Sequence, residues 1–292
     1  MEIRTLRYFL AIAGEENMSH AAEKLHVTQP TLSKAMKSLE EELGKKLFIR
    51  HSFSIQLTEE GRLLQKRAED LVSLADKIEK EFMSLDDIQG GELYFGLAES
   101  YQIRYLAREI KAFKKQYPQL HYHITSGDTE QVIEKLNKGL LDFAVLAETP
   151  DYSKYDSLAF PEDDQWGLIV KKDDPLAAKQ LIHAEDLIGL PLYCSEQGWN
   201  DEIRKWAGSN WNKMNLEGTF RLSYNGSMFA KEGLGYLLTF EHIVDTSPDS
   251  DLVFVPLFPS VKTKLYIVWN KYAAFTPIAE RFLQQIQKSF QQ

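Results

Sequence analysis

Small polar and basic side chains recur along one face of a short predicted helix near the N-terminus. This face carries Gln29, Thr31, Ser33, Lys34 and Lys37. Amide and ammonium groups can bond to base edges in the major groove of B-DNA, and hydroxyl groups can reach bases or phosphates. The pattern therefore indicates DNA binding. An ordinary amphipathic helix with a solvated polar face is the alternative, because short patterns of this kind are common by chance.

Two predicted helices and a tight turn position this face. The first helix begins at Ser19, whose hydroxyl can cap free N–H groups, and Val27 closes the turn. The second helix has Thr28 as its N-cap, Pro30 in its first turn and Gly44 at its end. Apolar residues at spacings of four, three and four predict the side that faces a core, and they are Leu32, Met36, Leu39 and Leu43.

A β-hairpin is predicted after the second helix, with Arg50 and His51 towards its tip. Its packed side chains are Leu47, Phe48, Ile55 and Leu57. With this hairpin, residues 1–60 resemble the winged helix-turn-helix of the LysR-type transcriptional regulators. The matching residues are Leu6, Phe9, 21–25, 27–32, Ser33, 39–43, 47–50, Leu57, Thr58 and Gly61. Where that family usually has a second arginine, three residues after the first, this chain has Phe53, so the resemblance does not extend to that phosphate contact.

The resemblance implies a DNA interface made of both helices and the hairpin. The residues assigned to it are Ser19, Thr28, Gln29, Pro30, Thr31, Ser33, Lys34, Lys37, Arg50 and His51. The net charge is −9, so the overall field of the protein cannot attract nucleic acid. Positive charge is local instead, since Lys24, Lys34, Lys37, Lys45, Lys46 and Arg50 are opposed there only by Glu40, Glu41 and Glu42. With so few phosphate contacts per subunit, we expect two subunits to be needed for useful affinity at cellular salt.

A coiled-coil seam is predicted within residues 58–88. Its apolar residues, spaced alternately by four and three, are Leu64, Ala68, Leu71, Ala75, Ile78, Phe82 and Leu85. A stripe this regular favours pairing with a second helix, and packing against the chain's own later domain is the alternative. In the resembling family this linker helix dimerises the protein. The resemblance therefore implies a homodimer with Leu64, Leu71, Ile78 and Leu85 at its interface, and pairing of dimers into a homotetramer stays open.

Gln89, Gly90 and Gly91 predict a domain boundary after the linker. Strands and helices alternate beyond it as βαβαβ, which predicts a parallel sheet covered by helices, and a second set of strands and helices follows. This region resembles the LysR-type regulatory domain, which has the fold of periplasmic solute-binding proteins. The matching residues are 91–96, Phe113, Tyr117, Pro118, Gly127, 136–145, 174–176, Leu187 and 233–235.

The predicted fold class is therefore α/β, with three parts along the chain. They are an N-terminal winged helix-turn-helix at 1–58, a long linker helix at 59–89 and a two-lobed α/β domain, like a periplasmic binding protein, at 90–292. The resemblance implies crossovers between the lobes near 160–166 and 261–265. Lobe I would comprise about 90–162 and 266–292, and lobe II about 163–265.

Polar side chains follow the carboxyl ends of the predicted strands, where ligands bind in parallel α/β sheets. Those assigned to an effector site are Glu99, Ser100, Tyr101, Gln102, Ser126, Thr149, Ser195, Glu196, Tyr224 and Asn225. Each residue alone is more often a helix cap than a ligand contact, so the hypothesis is their convergence in one cleft. Ser100 and its neighbours are the best candidates, because the resembling family commonly binds its effector with a hydroxyl residue at this helix start. Glu99 and Glu196 would repel a carboxylate and suit an effector with an amine or several hydroxyls.

Other chemistry is sparse. Cys194 is the only cysteine, so no intrachain disulfide can form, and it is either a buried structural residue or a redox sensor. His121 and His123 share a strand face without a third ligand at a metal-like spacing, so neither a metal nor a cofactor is predicted. The absence of a catalytic motif, a signal peptide and a membrane-spanning run indicates a cytoplasmic protein that is not an enzyme.

The sequence therefore predicts a DNA-binding transcriptional regulator that responds to a small-molecule effector bound between two lobes. Its expected partners are double-stranded DNA, an effector of unknown identity, a second copy of the chain and, still open, RNA polymerase, with no membrane partner. Two other interpretations are a cytoplasmic solute-binding protein, which would not need residues 1–88, and a redox-sensing regulator acting through Cys194.

Overall fold

The computed structural model describes residues 1–51, 54–85 and 89–290, with Arg50 described in its backbone alone. Phe53, which stands where the resembling family has its second wing arginine, lies outside these residues. Contacts along the chain divide it into two compact units, Met1–Ser84 and Leu85–Gln292. No helix in the described ranges is long and apolar enough to cross a membrane.

The first unit is a helical core with one small hairpin, as predicted. Its elements are α1 (Ile3–Glu15), α2 (Met18–Lys24), α3 (Gln29–Leu43), β1 (Phe48–Arg50), β2 (Ile55–Leu57) and α4 (Glu59–Ser84). The two strands pair antiparallel, with Phe48 opposite Leu57. The side chains buried in this unit include Leu6, Phe9, Ile12, Ala21, Ala22, Leu32, Met36, Leu39 and Leu47. Leu43, predicted to face the core, is 40% exposed, because it lies in the last turn of α3 beyond these packed residues.

The helix starts differ in detail from the prediction. Asn17, and not Ser19, is the N-cap of α2, since Asn17 Oδ1 accepts the backbone N–H of Ser19 at 2.8 Å. Thr28 is the N-cap residue of α3, but its hydroxyl bonds to the Thr31 hydroxyl at 2.8 Å and caps no backbone N–H. Gly44 does end α3, with a φ of +65° that glycine adopts without strain.

The predicted seam on the long helix α4 has two parts that differ in burial. Leu64 packs partly and Ala68 fully into the core of the first unit, where α1 is the main neighbour. Leu71, Ile78 and Phe82 are 41%, 45% and 70% exposed. The early turns of the stripe are therefore covered by the chain itself, and the later turns present an uncovered apolar face.

Both ends of α4 carry specific features. A Cβ at Gly61 would lie 2.2 Å from the carbonyl oxygen of Leu47, so only glycine allows the helix to approach the hairpin this closely. At the other end the helix stops at Ser84, whose hydroxyl donates back to the Glu81 carbonyl oxygen at 3.1 Å. Leu85, which was predicted on the helix, therefore lies one residue past its end, and its role at the dimer interface stays a prediction.

The second unit contains two β-sheets with helices packed on them. Its elements are β3 (Gly90–Leu97), α5 (Ile103–Gln116), β4 (Gln119–Ser126), α6 (Thr129–Asn137), β5 (Phe143–Leu146), β6 (Tyr155–Ala159), β7 (Asp164–Lys171), β8 (Pro191–Ser195), α7 (Glu196–Gly198), α8 (Arg204–Ala207), β9 (Asn215–Phe220), α9 (Ser223–Lys231), β10 (Tyr236–Phe240), β11 (Leu252–Pro256), β12 (Lys262–Thr263), β13 (Tyr266–Asn270) and α10 (Pro277–Phe290). Short 3-10 helices lie at Pro175–Ala178, Ala184–Leu187 and Gly208–Lys213, and a π-helical turn lies at Trp199–Ile203.

Each sheet belongs to one lobe. Lobe I has the strand order β4-β3-β5-β13-β6, and lobe II has the order β11-β7-β10-β8-β9, with β12 paired to β7. The strand β3 is parallel to β4 and β5, as predicted. However, β13 runs antiparallel to β5 and β6, and β7 runs antiparallel to β10 and β11. The sheets are thus mixed, because the strands next to the two crossovers, at 160–163 and 264–265, enter from the opposite direction.

Aromatic side chains fill the centre of each lobe. In lobe I the ring of Phe95 lies 5.7 Å from Phe143 and 5.5 Å from Phe282, and all three residues are fully buried. In lobe II the rings of Trp166 and Phe240 meet edge to face at 4.6 Å. Burying one such side chain stabilises a fold by about 1.5 to 3 kcal/mol, so these clusters give the ends of the central strands fixed positions.

Candidate functional site

The polar face of α3 is open to solvent in the first unit. Gln29, Thr31, Lys34 and Lys37 are exposed and Ser33 is half-buried, while the opposite side of the helix is buried. The other predicted DNA contacts that are exposed are Ser19, Thr28, Pro30 and His51. The side chain of Arg50 lies outside the described part of the structure. A helix that shows amide, hydroxyl and ammonium groups on one uncovered face has the donors that base edges and phosphates require.

Most basic residues around this face already have a carboxylate partner. The ion pairs, by N···O distance, are Lys24–Glu15 at 2.6 Å, Lys46–Glu40 at 2.9 Å, Lys37–Glu41 at 3.7 Å and Lys45–Glu60 at 3.8 Å. Two of these partners, Glu15 and Glu60, lie outside the stretch of sequence that holds these lysines and approach from α1 and α4. Within the described residues, Lys34 is in no ion pair, which makes it the cation most available to a phosphate or a base.

Glu40 fastens the end of α3 to the hairpin. Its Oε1 accepts the backbone N–H of Leu47 at 2.9 Å, and its Oε2 accepts Lys46 Nζ at 2.9 Å. Burial opposes ionisation of this carboxyl, but the bonds from Lys46 and Leu47 outweigh burial and hold the pKa of Glu40 below its ordinary value. The ionised carboxylate therefore fixes the hairpin relative to α3.

A cavity of about 710 Å³ lies between the lobes of the second unit. Lobe I contributes side chains that follow β3, β4 and β5, and lobe II contributes side chains at or after the ends of β8 and β9, at the end of β10 and on β7. The lining residues used below are Glu99, Asp128, Glu148, Trp166, Ser195, Glu196, Gln197, Glu202, Arg221, Ser223 and Phe240. The position agrees with the rule that ligands bind beyond the carboxyl ends of the strands.

The predicted effector residues divide around this cavity. Glu99, Ser195 and Glu196 line it. The structure does not bring to it Ser100, Tyr101, Gln102, Ser126, Thr149, Tyr224 or Asn225. Ser195 accepts the backbone N–H of Gly198 at 3.2 Å, so it also caps a helical turn at the cavity wall. The effector roles of all ten residues remain predictions.

Ser100 and Gln102 bind a buried carboxyl at the crossover. The Ser100 hydroxyl donates to Asp164 Oδ2 at 2.5 Å and accepts the backbone N–H of Gln102 at 2.9 Å. Burial raises the pKa of Asp164 to about 6, and the hydrogen bonds from Ser100 and Gln102 oppose that rise. These residues therefore hold lobe I to the first strand of lobe II. Tyr101 lies beside them with its ring 4.7 Å from His242.

Three polar contacts join the lobes at the cavity itself. Glu99 Oε2 accepts the backbone N–H of Ser223, the first residue of α9, at 2.6 Å. The amide of Gln197 donates to Glu148 Oε2 at 2.8 Å. Arg221 Nε lies 3.3 Å from Asp128 Oδ2. Residues on both sides of the cavity thus connect the two lobes directly.

Sequence reasoning missed the residues between β9 and α9. The sequence predicts a strand near residues 220–223, whereas β9 ends at Phe220 and Ser223 begins α9. Arg221 and Ser223 therefore sit at the strand end, and Tyr224 and Asn225 lie further along the helix, exposed to solvent. The serine at the helix start was the available signal, because Ser is a common residue at helix N-termini.

Two other types of chemistry find little support in the described residues. No group of three or more His, Cys, Asp and Glu side chains could hold a metal ion there. Cys194 is fully buried, and burial raises the pKa of its thiol far above the ordinary value. A thiol held protonated and out of solvent is a poor redox sensor, so the alternative of a redox-sensing regulator is not favoured.

Two family models match the chain. The model described as bacterial regulatory helix-turn-helix protein, lysR family, matches residues 3–62, and the model described as LysR substrate binding domain matches residues 87–291. The HTH-type transcriptional regulator YtlI of Bacillus subtilis (strain 168) is 28% identical over 307 residues, which cover 100% of this chain and 95% of that protein. The matched domains are the two parts in which the polar helix face and the cavity lie.

Solved structures show the same fold. CbnR, a LysR family transcriptional regulator, has a TM-score of 0.80 at 22% identity, with 99% of each chain covered. Full-length CbnR in a complex with its target DNA has a TM-score of 0.79 at 21% identity, with 99% of this chain and 100% of that chain covered. The chain therefore belongs to the LysR family of bacterial transcriptional regulators, which are DNA-binding proteins with a substrate-binding domain for an effector.

Proposed function

We propose that this regulator binds its operator through α3 and the hairpin of two subunits, and that a small molecule in the inter-lobe cavity modulates that binding. The observation that carries the proposal is a cavity whose two walls touch through polar side chains. These contacts are Glu99 to Ser223, Gln197 to Glu148 and Arg221 to Asp128. A molecule that enters the cavity meets groups from both lobes at once.

The effector acts by shifting a population of lobe orientations. A ligand that binds one orientation more tightly than the other increases the fraction of molecules in that orientation, and its differential affinity limits the shift. Because the coupling is reciprocal, an effector that strengthens operator binding must itself bind more tightly to the DNA-bound protein, by the same factor. The two binding measurements therefore check each other.

Self-association through α4 is part of the proposal. Leu71, Ile78 and Phe82 leave an apolar face uncovered on the later turns of the helix. Burying each of these side chains against a second copy of α4 would contribute about 1.5 to 3 kcal/mol. Pairing would also double the small set of phosphate contacts that one subunit offers. In this proposal the homodimer acts in the cytoplasm, where DNA and RNA polymerase are found.

The test is operator binding by the full-length protein. Fluorescence anisotropy with DNA that flanks the protein's own gene, at fixed salt, should give an affinity at least about a thousandfold tighter than random DNA of equal length. The same titration with a panel of metabolites should find a compound that changes this affinity, and transcription with purified RNA polymerase should report the direction. Equal affinity for the flanking and random DNA would contradict the proposed operator.

A further inference from the structure

The positive groups at the inter-lobe cavity are already neutralised by the protein. The N-terminus of α9 carries partial positive charge, which makes such a position a natural anion site, but Glu99 fills it at 2.6 Å. Among the lining residues that the structure describes, Arg221 alone carries a full positive charge, and Asp128 pairs with it at 3.3 Å. A carboxylate or phosphate ligand would have to displace one of these protein carboxylates.

Several negative groups at the same cavity have no cation. Glu148, Glu196 and Glu202 line it, and none of them is in an ion pair within the described residues. Burial raises the pKa of Glu148, and the charges of Asp201 and Glu202 raise it further. Burial also raises the pKa of Glu202. Ionisation of either carboxylate is therefore less favourable than it is in water, and a cation placed beside them would offset that cost.

The remaining walls distinguish between kinds of cation. No three His, Cys, Asp or Glu side chains among the described residues converge closely enough to hold a metal ion. Trp166 and Phe240 add aromatic surface, and Ala98 and Ala147 add small apolar surface. Carboxylates that form no metal-binding group, with apolar surface beside them, fit a molecule that carries one or more ammonium groups on a hydrocarbon frame.

We propose that the effector of this regulator is an organic amine, protonated at neutral pH, whose ammonium group binds between Glu148 and Glu202 in the inter-lobe cavity. This inference rests on the proposed function, because it takes the cavity as the effector site. Gln197 already donates to Glu148 from the opposite lobe, so an ammonium group at Glu148 competes with an inter-lobe contact or adds to it. Glu148, whose charge selects the ligand, would thus also belong to the inter-lobe contact that ligand binding changes.

Calorimetric titration of the full-length protein with matched four-carbon compounds tests the charge preference. The compounds are 1,4-diaminobutane, n-butylamine, 1,4-butanediol and succinate. We expect saturable binding of an amine, and none of the diol or of succinate. Glu148→Gln and Glu202→Gln should each weaken amine binding about tenfold or more, because each removes a charge-assisted hydrogen bond. Glu217→Gln, which neutralises an exposed carboxylate on β9 outside the cavity, should bind like the parent.

Three results would overturn the proposal. They are the absence of saturable amine binding, binding of succinate in preference to the amines, and amine binding that neither glutamine variant weakens. Melting temperatures establish that the variants fold, and removing a costly buried charge should not lower them. Operator binding is measured on the same preparations. Intact operator binding without amine binding rejects only the effector class, whereas loss of sequence-specific DNA binding in the parent rejects the proposed function.

Discussion

The carboxylate of Glu99 accepts a 2.6 Å hydrogen bond from the backbone N–H of Ser223, and this bond joins lobe I to the first turn of a helix in lobe II. A carboxylate at a helix N-terminus contributes about 0.3 to 2 kcal/mol, depending on its burial. The Glu99 carboxylate thus occupies the N-terminus of α9, where an anionic ligand could otherwise bind. Its bond to Ser223 is one of the three polar contacts that join the lobes at the cavity.

Replacing the charge at this contact should loosen the start of α9. In Glu99→Gln the amide can still accept a hydrogen bond, but the interaction of a full charge with the helix end is lost. We expect amide hydrogen exchange at residues 223–226 to become about three- to tenfold faster, with the lobe cores unchanged. Glu217→Gln, on the exposed face of β9, is the matched control. Unchanged exchange at 223–226 would show that the contact does not hold the helix.

Removal of single polar groups from the polar face of α3 should weaken operator binding. Lys34→Ala removes a cation that has no ion pair in the described residues, so operator affinity should fall by about 1 to 3 kcal/mol if Lys34 contacts a base, and the salt slope should drop if it contacts a phosphate. Ser33→Ala should weaken binding by a similar amount where a base contact is lost. Lys24→Ala is the control, because Lys24 already pairs with Glu15. Anisotropy at several salt concentrations provides the measurement, and parental affinity in both variants would reject this face.

The uncovered apolar face of α4 should control assembly. Ile78→Lys places a charge on that face, and burying it in a dimer without a partner would weaken association by several kcal/mol. Operator affinity should fall with it, because one subunit offers few phosphate contacts. Leu63→Lys is a useful control, since Leu63 is 63% exposed and lies off the predicted seam. Sedimentation of the same oligomer in Ile78→Lys and the parent would show that this face does not mediate dimerisation.

The buried carboxyl at the crossover should give stability a pH dependence of known sign. The pKa of Asp164 is raised by burial to about 6, with a further rise from Asp163 and an opposing effect from Arg104. Between about pH 4 and 6 the folded protein holds a proton that the unfolded chain releases, so this group's contribution to the free energy of unfolding decreases as pH rises. The decrease is about 2 to 3 kcal/mol and is complete above about pH 6.

Asp164→Asn should abolish that component, because an amide does not ionise in this range. Urea unfolding of the parent and the variant at several pH values gives the difference between the two profiles. The free energy of unfolding of Asp164→Asn should rise relative to that of the parent as pH increases from about 4 to 6. Asp249→Asn, in an exposed loop, controls for the loss of one negative charge. Parallel profiles for Asp164→Asn and the parent would mean that the folded protein does not perturb this carboxyl.

Local patterns predicted the first unit well because local chemistry determines most of it. The period of Leu32, Met36 and Leu39 places the core side of α3, and Gly44 marks its end through a backbone conformation that other residues avoid. The helix start was harder to place. Asn17 and Ser19 both have side chains that cap helices, and the sequence gives no reason to choose between them.

The cavity was harder to predict because long-range contacts determine which side chains reach it. Ser100 follows a strand end as expected, yet its hydroxyl is taken by Asp164, 64 residues later in the chain. Ser223 enters the site because it begins α9, whereas the sequence predicts a strand over 220–223. Strand ends are uncertain by a few residues from sequence alone, and in an α/β sheet those few residues decide which side chains face a ligand.

The close approach of Gly61 to the Leu47 carbonyl packs the start of α4 against the residue that precedes the hairpin, so we expect α4 and the hairpin to move together. With 26 residues, α4 is about 39 Å long. A rotation of α4 by about 5° around its hairpin end moves the far end by about 3 Å. Conversely, a displacement of about 3 Å at the far end would tilt the polar face of α3 by about 5°. If two subunits pair through α4 as proposed, a displacement no larger than a side chain at the far end of each helix would change the angle at which the two polar faces of α3 meet DNA.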